Sequence, residues 1–160
     1  MDDTRERIEV RKRAQAAIAL YENAGKETLL REIADSGGRF VSDDRYIFAL
    51  DINGTMVAHP MEPALTGRNL IDLRDPEGNA FIRKIVDTAK TKGYGYRDFR
   101  WHSPGSEDEL HKTVFFERVD DIILCSGFYS SEESSWDSIV NYLRCPVRAI
   151  YGGGKPHGRC

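Results

Sequence analysis

Two residues carry the chemistry that a small anion needs. His59 ends the apolar run "YIFALDINGTMVAHP" (46–60), where it is locked against Pro60, and Lys112 opens the strand-like run "HKTVFFERV" (111–119). Judged alone, each has a plain structural role: a strand-end lysine snorkels to water, and a strand-end histidine bonds to backbone. Alternation joins them to others. In "GYRDFRW" it sets Gly95, Arg97, Phe99 and Trp101 on one side, with Tyr96, Asp98, Arg100 and His102 on the other. On the next strand Lys112, Val114 and Phe116 share a side, as do Thr113, Phe115 and Glu117. A lysine charge and an imidazole N–H on one sheet can hold a small anion while Phe99 and Trp101 cover its apolar end. The chain has no G-x-S-x-G, H-E-x-x-H, P-loop or paired-cysteine motif, so the residues point to binding and not to an enzyme. No cofactor is expected.

The elements that must position these residues follow from periodicity. Residues 3–24 are rich in helix formers, with Ile8, Ala14, Ala17, Ile18 and Tyr21 tending to one side. Gly25 interrupts, and Leu29, Leu30, Ile33 and Ala34 resume the pattern up to Gly37-Gly38; two helices and one kinked helix fit equally well. Asn53-Gly54 between apolar runs predicts a type I′ hairpin turn, and Pro60 must end the second strand because it cannot donate to a ladder. The loop "MEPALTGRNLIDLRDPEG", beginning at Met61, then turns over the sheet as a lid. Residues 79–93 read as a helix with Asn79 as N-cap and Gly93 as stop. Strands at 94–102, 111–119 and 122–129 complete a meander. The class is α+β: a long N-terminal helix packed on a five-stranded antiparallel sheet. The expected organisation is a helical segment over 3–36, a sheet core over 37–130, and a short helix with a flexible tail over 131–160.

Composition narrows the classes. The 160 residues are 40% hydrophobic and 31% charged, near globular averages. A net charge of −3 and a pI near 5.8 give no reason to expect nucleic acid as a partner. No apolar stretch is long enough to span a bilayer, and "MDDTRERIEV" lacks a signal-peptide centre. As written the chain reads as cytoplasmic, or as extracytoplasmic if it is a domain of a membrane receptor. Cys125, Cys145 and Cys160 read as unpaired thiols.

Together "GRFVSDDRYIFALDINGTMVAHPMEPALTGRNLIDLRDPEG", "GYGYRDFRW", "HKTVFFERV" and "CSGFY" resemble the single Cache domain of type 2, over about residues 14–130. The resemblance implies a PAS-like sensor of chemoreceptors and sensor kinases that binds a small organic acid such as acetate, propionate, lactate or pyruvate. It further implies that Lys112 binds the carboxylate, that His59 closes the pocket with Pro60, and that Trp101 lines it. Phe99, Tyr46, Tyr96, Met61 and Phe115 complete the expected site. Phe99 and Phe115 stand where the family usually has tyrosines, which removes hydroxyl donors that Tyr46, Tyr96 or Arg45 would have to replace. A weak homodimer through the N-terminal helix, with Ile18 and Tyr21 near its axis, is also expected. The alternative is a haem- or metal-responsive protein, motivated by Cys145-Pro146 and by His102 and His111 flanking a polar turn.

Overall fold

The structure, a computed structural model, describes residues 3–102 and 109–130. The chain divides into a compact unit, Met1–Tyr129, and a second, Ser130–Cys160, nearly all of which lies outside the described residues. The short helix and tail expected over 131–160, and Cys145-Pro146, therefore fall outside them too.

The N-terminal pattern resolves into two helices, α1 (Asp3–Ala24) and α2 (Lys26–Ala34). Gly25 separates them with a φ of 89°, a left-handed conformation that glycine adopts without steric cost. Val10, Ala14 and Ala17 of α1 and Leu29 and Ile33 of α2 are buried. The strands are β1 (Val41–Ser42), β2 (Arg45–Asp51), β3 (Met56–Ala58), β4 (Tyr94–His102), β5 (Glu109–Val119) and β6 (Ile122–Ser130). They form one sheet in the order β1-β2-β6-β5-β4, with β3 pairing on β2. The expected five-stranded sheet is thus present, extended by the two-residue β1. A third helix, α3 (Phe81–Thr91), precedes β4.

Two local expectations are corrected. The β2–β3 turn is not type I′, because Gly54 has a positive φ (88°) and Asn53 does not. The Asp51 carboxylate instead accepts the N–H groups of Asn53 and Thr55 at 2.8 and 3.0 Å, and the Gly54 N–H reaches the Asp51 carbonyl at 3.1 Å. A turn followed by one left-handed glycine closes the three-residue loop, and a separate register shift at Ala49/Leu50 leaves Val57 as an extra residue on β3. Asn79 does not cap α3 either; the cap position is Ala80, without a side-chain bond. Asn79 is engaged with Asp75.

Because successive strand residues face opposite ways, β2 and β6 feed two cores. Ile47, Ala49, Ile122 and Leu124 pack against α1 and α2 with Leu29 and Ile33. Tyr46, Phe48, Leu50, Ile123, Cys125 and Tyr129 face α3 and the loop after β3.

Candidate functional site

The α3 side of the sheet holds a small cavity roofed by the loop that follows β3. Its walls include Phe48, Phe99, Trp101, Phe81 and Leu70, with Lys112, His59 and Glu62 as the polar members. About 20 Å³ is open to the centre of a water-sized sphere, more than one water needs. Phe99 and Phe81 stack at 4.0 Å between ring centroids, with Trp101 edge-on to Phe81.

The roof is fixed at both ends. Near its start the loop folds back along β3: the Gly67 N–H bonds the Met56 carbonyl at 2.8 Å and the Met56 N–H the Arg68 carbonyl at 2.9 Å. Near its end, buried Asp75 accepts N–H bonds from Glu77 and Asn79 on Oδ1 and from Arg100 of β4 on Oδ2. Burial alone would raise its pKa, but these hydrogen bonds outweigh burial and hold the carboxyl below its ordinary range.

His59 is 4% exposed, and its state follows from its partners. Nδ1 lies 3.1 and 2.9 Å from the N–H groups of Met61 and Glu62. Both are donors, so Nδ1 accepts and the ring proton of the neutral form sits on Nε2. Burial, with Lys112 and His102 nearby, pushes the pKa down to about 3. His59 is therefore a neutral N–H donor at any ordinary pH. Its ring stacks on Phe48 with centroids 5.5 Å apart.

Lys112 is 3% exposed. Its ammonium lies 4.6, 5.2 and 4.9 Å from the ring centroids of Tyr46, Phe48 and Tyr129, a cation–π cage. Burial pushes its pKa down to about 8, with Glu62, Cys125 and Asp44 opposing. Nζ donates to the Tyr46 hydroxyl at 3.0 Å. The Tyr129 hydroxyl donates to the His102 carbonyl at 2.9 Å and lies 3.2 Å from the Tyr46 oxygen. Since Tyr129 spends its single proton on that carbonyl, the Tyr46 proton must go to Tyr129. The chain of bonds thus runs one way, from Lys112 through Tyr46 and Tyr129 to β4. Gly127 makes room for it: a Cβ there would stand 2.9 Å from Lys112 Cε.

Glu62 closes the polar ring. Oε1 is 2.7 Å from His102 Nε2, while Oε2 is 3.4 Å from Trp101 Nε1 and 3.7 Å from His59 Nε2.

Of the residues named from sequence, Lys112, His59, Phe99 and Trp101 line the cavity, and Tyr46 touches the Lys112 ammonium. Met61 packs on the same core from the loop without lining the cavity. Tyr96 and Phe115 are corrections: they pair across β4 and β5 but face α1, packed with Val10, Ala14 and Phe128. Alternation on β5 had already set Phe115 opposite Lys112. Glu62, Tyr129, Gly127 and Asp75 were not singled out. All four sit in quoted stretches, "MEPALTGRNLIDLRDPEG" and "CSGFY", but only through-space neighbours reveal their roles. His102 is bound to Glu62, and among the described residues no group of three or more His, Cys, Asp or Glu is placed to hold a metal ion.

A family model described as "Cache domain" matches residues 12–136. The chain is 31% identical over 103 residues to the methyl-accepting chemotaxis protein McpP of Pseudomonas putida, covering 64% of this chain and 18% of that protein. It is 32% identical over 77 residues to the sensor histidine kinase MctS of Rhizobium johnstonii, covering 48% and 16%. The chain thus matches less than a fifth of the length of either curated relative. Among solved structures, a periplasmic sensor domain of a chemotaxis protein aligns over 80% of this chain and 94% of its own, with TM-score 0.67 and 24% identity. A Cache chemosensory domain solved for the structural basis of its carboxylic acid recognition aligns over 80% and 92%, with TM-score 0.66 and 26% identity. The chain belongs to the Cache domain family of sensor domains, and the described residues form a single such domain.

Proposed function

We propose that this domain senses a small monocarboxylate of the acetate, propionate, lactate or pyruvate type, held in the α3-side cavity as the input of a signal-transduction receptor. The observation that carries the reading is the state of Lys112. Its ammonium is buried, yet among the described residues its hydrogen bond goes to a neutral phenol and no carboxylate pairs with it at ion-pair distance. A charge in that position costs several kcal/mol unless an anion joins it. The His59 Nε2–H offers a second donor to the same anion, and the Phe99, Trp101 and Phe81 rings suit a short apolar tail. The carboxylic acid recognition of one similar domain supports the same class.

An extracytoplasmic position replaces the cytoplasmic expectation in this reading, supported by the periplasmic description of one similar structure. No helix among the described residues is long and apolar enough to cross a membrane. The reading does not require the homodimer expected through α1. Ala14 and Ala17 are buried against the domain's own sheet, Ile18 packs beside them, and the Tyr21 hydroxyl donates to Asp120.

An acetate-sized ligand of four non-hydrogen atoms can reach a Kd on the order of tens of micromolar at best. The test is thermal melting of the protein with acetate, propionate, lactate and pyruvate in turn. At about 100 times Kd a bound acid stabilises by about 2.7 kcal/mol, so at least one should raise the Tm by several degrees. No shift with any of the four would overturn the proposal.

A further inference from the structure

The geometry points to Glu62 as a specificity-determining residue that limits the ligand of this cavity to one negative charge. The inference rests on the monocarboxylate reading and asks what that reading leaves open: a carboxylate at the rim of a site for carboxylates. Glu62 touches His59 twice, through its backbone N–H on Nδ1 at 2.9 Å and through Oε2, 3.7 Å from Nε2. The same carboxylate spans the end of β4, with His102 Nε2 at 2.7 Å and Trp101 Nε1 at 3.4 Å. It therefore occupies the Trp101 and His102 N–H groups, leaves the His59 Nε2–H to a ligand, and puts a carboxylate on the wall of the cavity that holds Lys112.

The cavity then holds one wholly enclosed cation and one half-covered anion. A monocarboxylate satisfies the Lys112 ammonium and turns an uncharged tail toward the rim. A dicarboxylate of equal carbon count must bring its second carboxylate against Glu62. Like charges a few ångströms apart in such a setting repel strongly, and among the described residues no cationic side chain lines the cavity besides Lys112. Rejection of the wrong ligand by a built-in like charge is a general route to specificity.

Propionate and malonate have the same carbon count and differ by that second carboxylate, so their Kd ratio reads the effect. Wild-type protein should bind propionate at least about 100-fold tighter than malonate. Glu62→Gln removes the charge and keeps one acceptor oxygen, enough for His102 Nε2 or Trp101 Nε1 but not both. It should shrink the ratio at least about tenfold, by tightening malonate more than propionate. Glu62→Ser, which removes length as well, should move the ratio the same way. If propionate binds and the ratio stays unchanged in both variants, the gate is overturned while the monocarboxylate site stands. Wild-type binding of malonate within about threefold of propionate does the same. If the wild type binds neither propionate nor acetate, lactate or pyruvate, the site reading fails and takes the gate with it.

Discussion

The two faces of the sheet are made from the same strands and do opposite work. Toward α1 and α2, Ile47, Ala49, Ile122 and Leu124 are essentially inaccessible, and the buried carboxylate on that side, Glu6, is paired with Arg45 at 2.6 Å. Toward α3, alternate residues of those strands, with β5, enclose a lysine, a histidine and a tyrosine pair. One face is optimised for burial and supplies stability. The other gives up stability to keep a charge available, which is what a site waiting for an anion requires.

The contrast is broken most severely on the apolar face. Leu124→Ala should cost about 2–5 kcal/mol of stability by denaturant titration, as cavities in packed cores do, and leave carboxylate affinity within about threefold. Comparable loss of binding would mean that the faces are not separable.

Lys112→Met should have the reverse profile, with a large loss of carboxylate binding and a gain in ligand-free stability. The sign follows from the pKa. Burial lowers the Lys112 pKa from 10.5 to about 8 in the folded chain. Between about pH 8 and 10.5 the unfolded chain binds more protons, so the wild type gains stability as pH rises through that window. Below about 8 the full penalty applies, at most roughly 3 kcal/mol. The methionine variant should show neither the penalty nor the rise. Binding has the opposite pH dependence: an anion needs the charged ammonium, so affinity should fall as pH rises above about 8. A flat binding profile from pH 7 to 10 would remove Lys112 from the site.

Gly127→Ala sharpens the comparison more gently. The added Cβ meets Lys112 Cε at 2.9 Å, Val114 Cγ2 at 3.0 Å and the Thr113 carbonyl at 3.1 Å, so the lysine must shift. Affinity should drop about tenfold, with about 1 kcal/mol lost in stability. The smallest effects separate two phenylalanines. Phe99→Tyr adds a hydroxyl to a cavity wall and should change affinity measurably, whereas Phe115→Tyr on the α1 face should leave it unchanged. An effect of Phe115→Tyr on binding would contradict its position against Val10 and Ala14.

The same contrast explains what was legible in the sequence. α1, β4 and the last hairpin are set by local periodicity, and their limits match the apolar patterns closely. The Asn53-Gly54 turn was mistyped because the dipeptide's preference yielded to the Asp51 side chain, a competitor that local propensity does not weigh. Lys112, His59, Phe99 and Trp101 were legible because strand alternation and a Pro-stopped strand report which residues share a face. Family position draws Phe115 into the site, and the need for a replacement hydroxyl donor draws in Tyr96, although alternation sets Phe115 opposite Lys112 and Tyr96 opposite Phe99; the alternation held. Glu62 and Asp75 lie in a loop without periodicity, where a carboxylate's partner is set by folding across 40 residues in one case and 25 in the other.

Calorimetric titration at pH 7 of wild type and Lys112→Met, using whichever of the four acids gives the largest thermal shift, tests the central claim most directly. The account predicts binding to the wild type and at least about a 100-fold loss in the variant, whose ligand-free Tm equals or exceeds that of the wild type. A folded Lys112→Met protein that binds the acid within about threefold of wild type would contradict it.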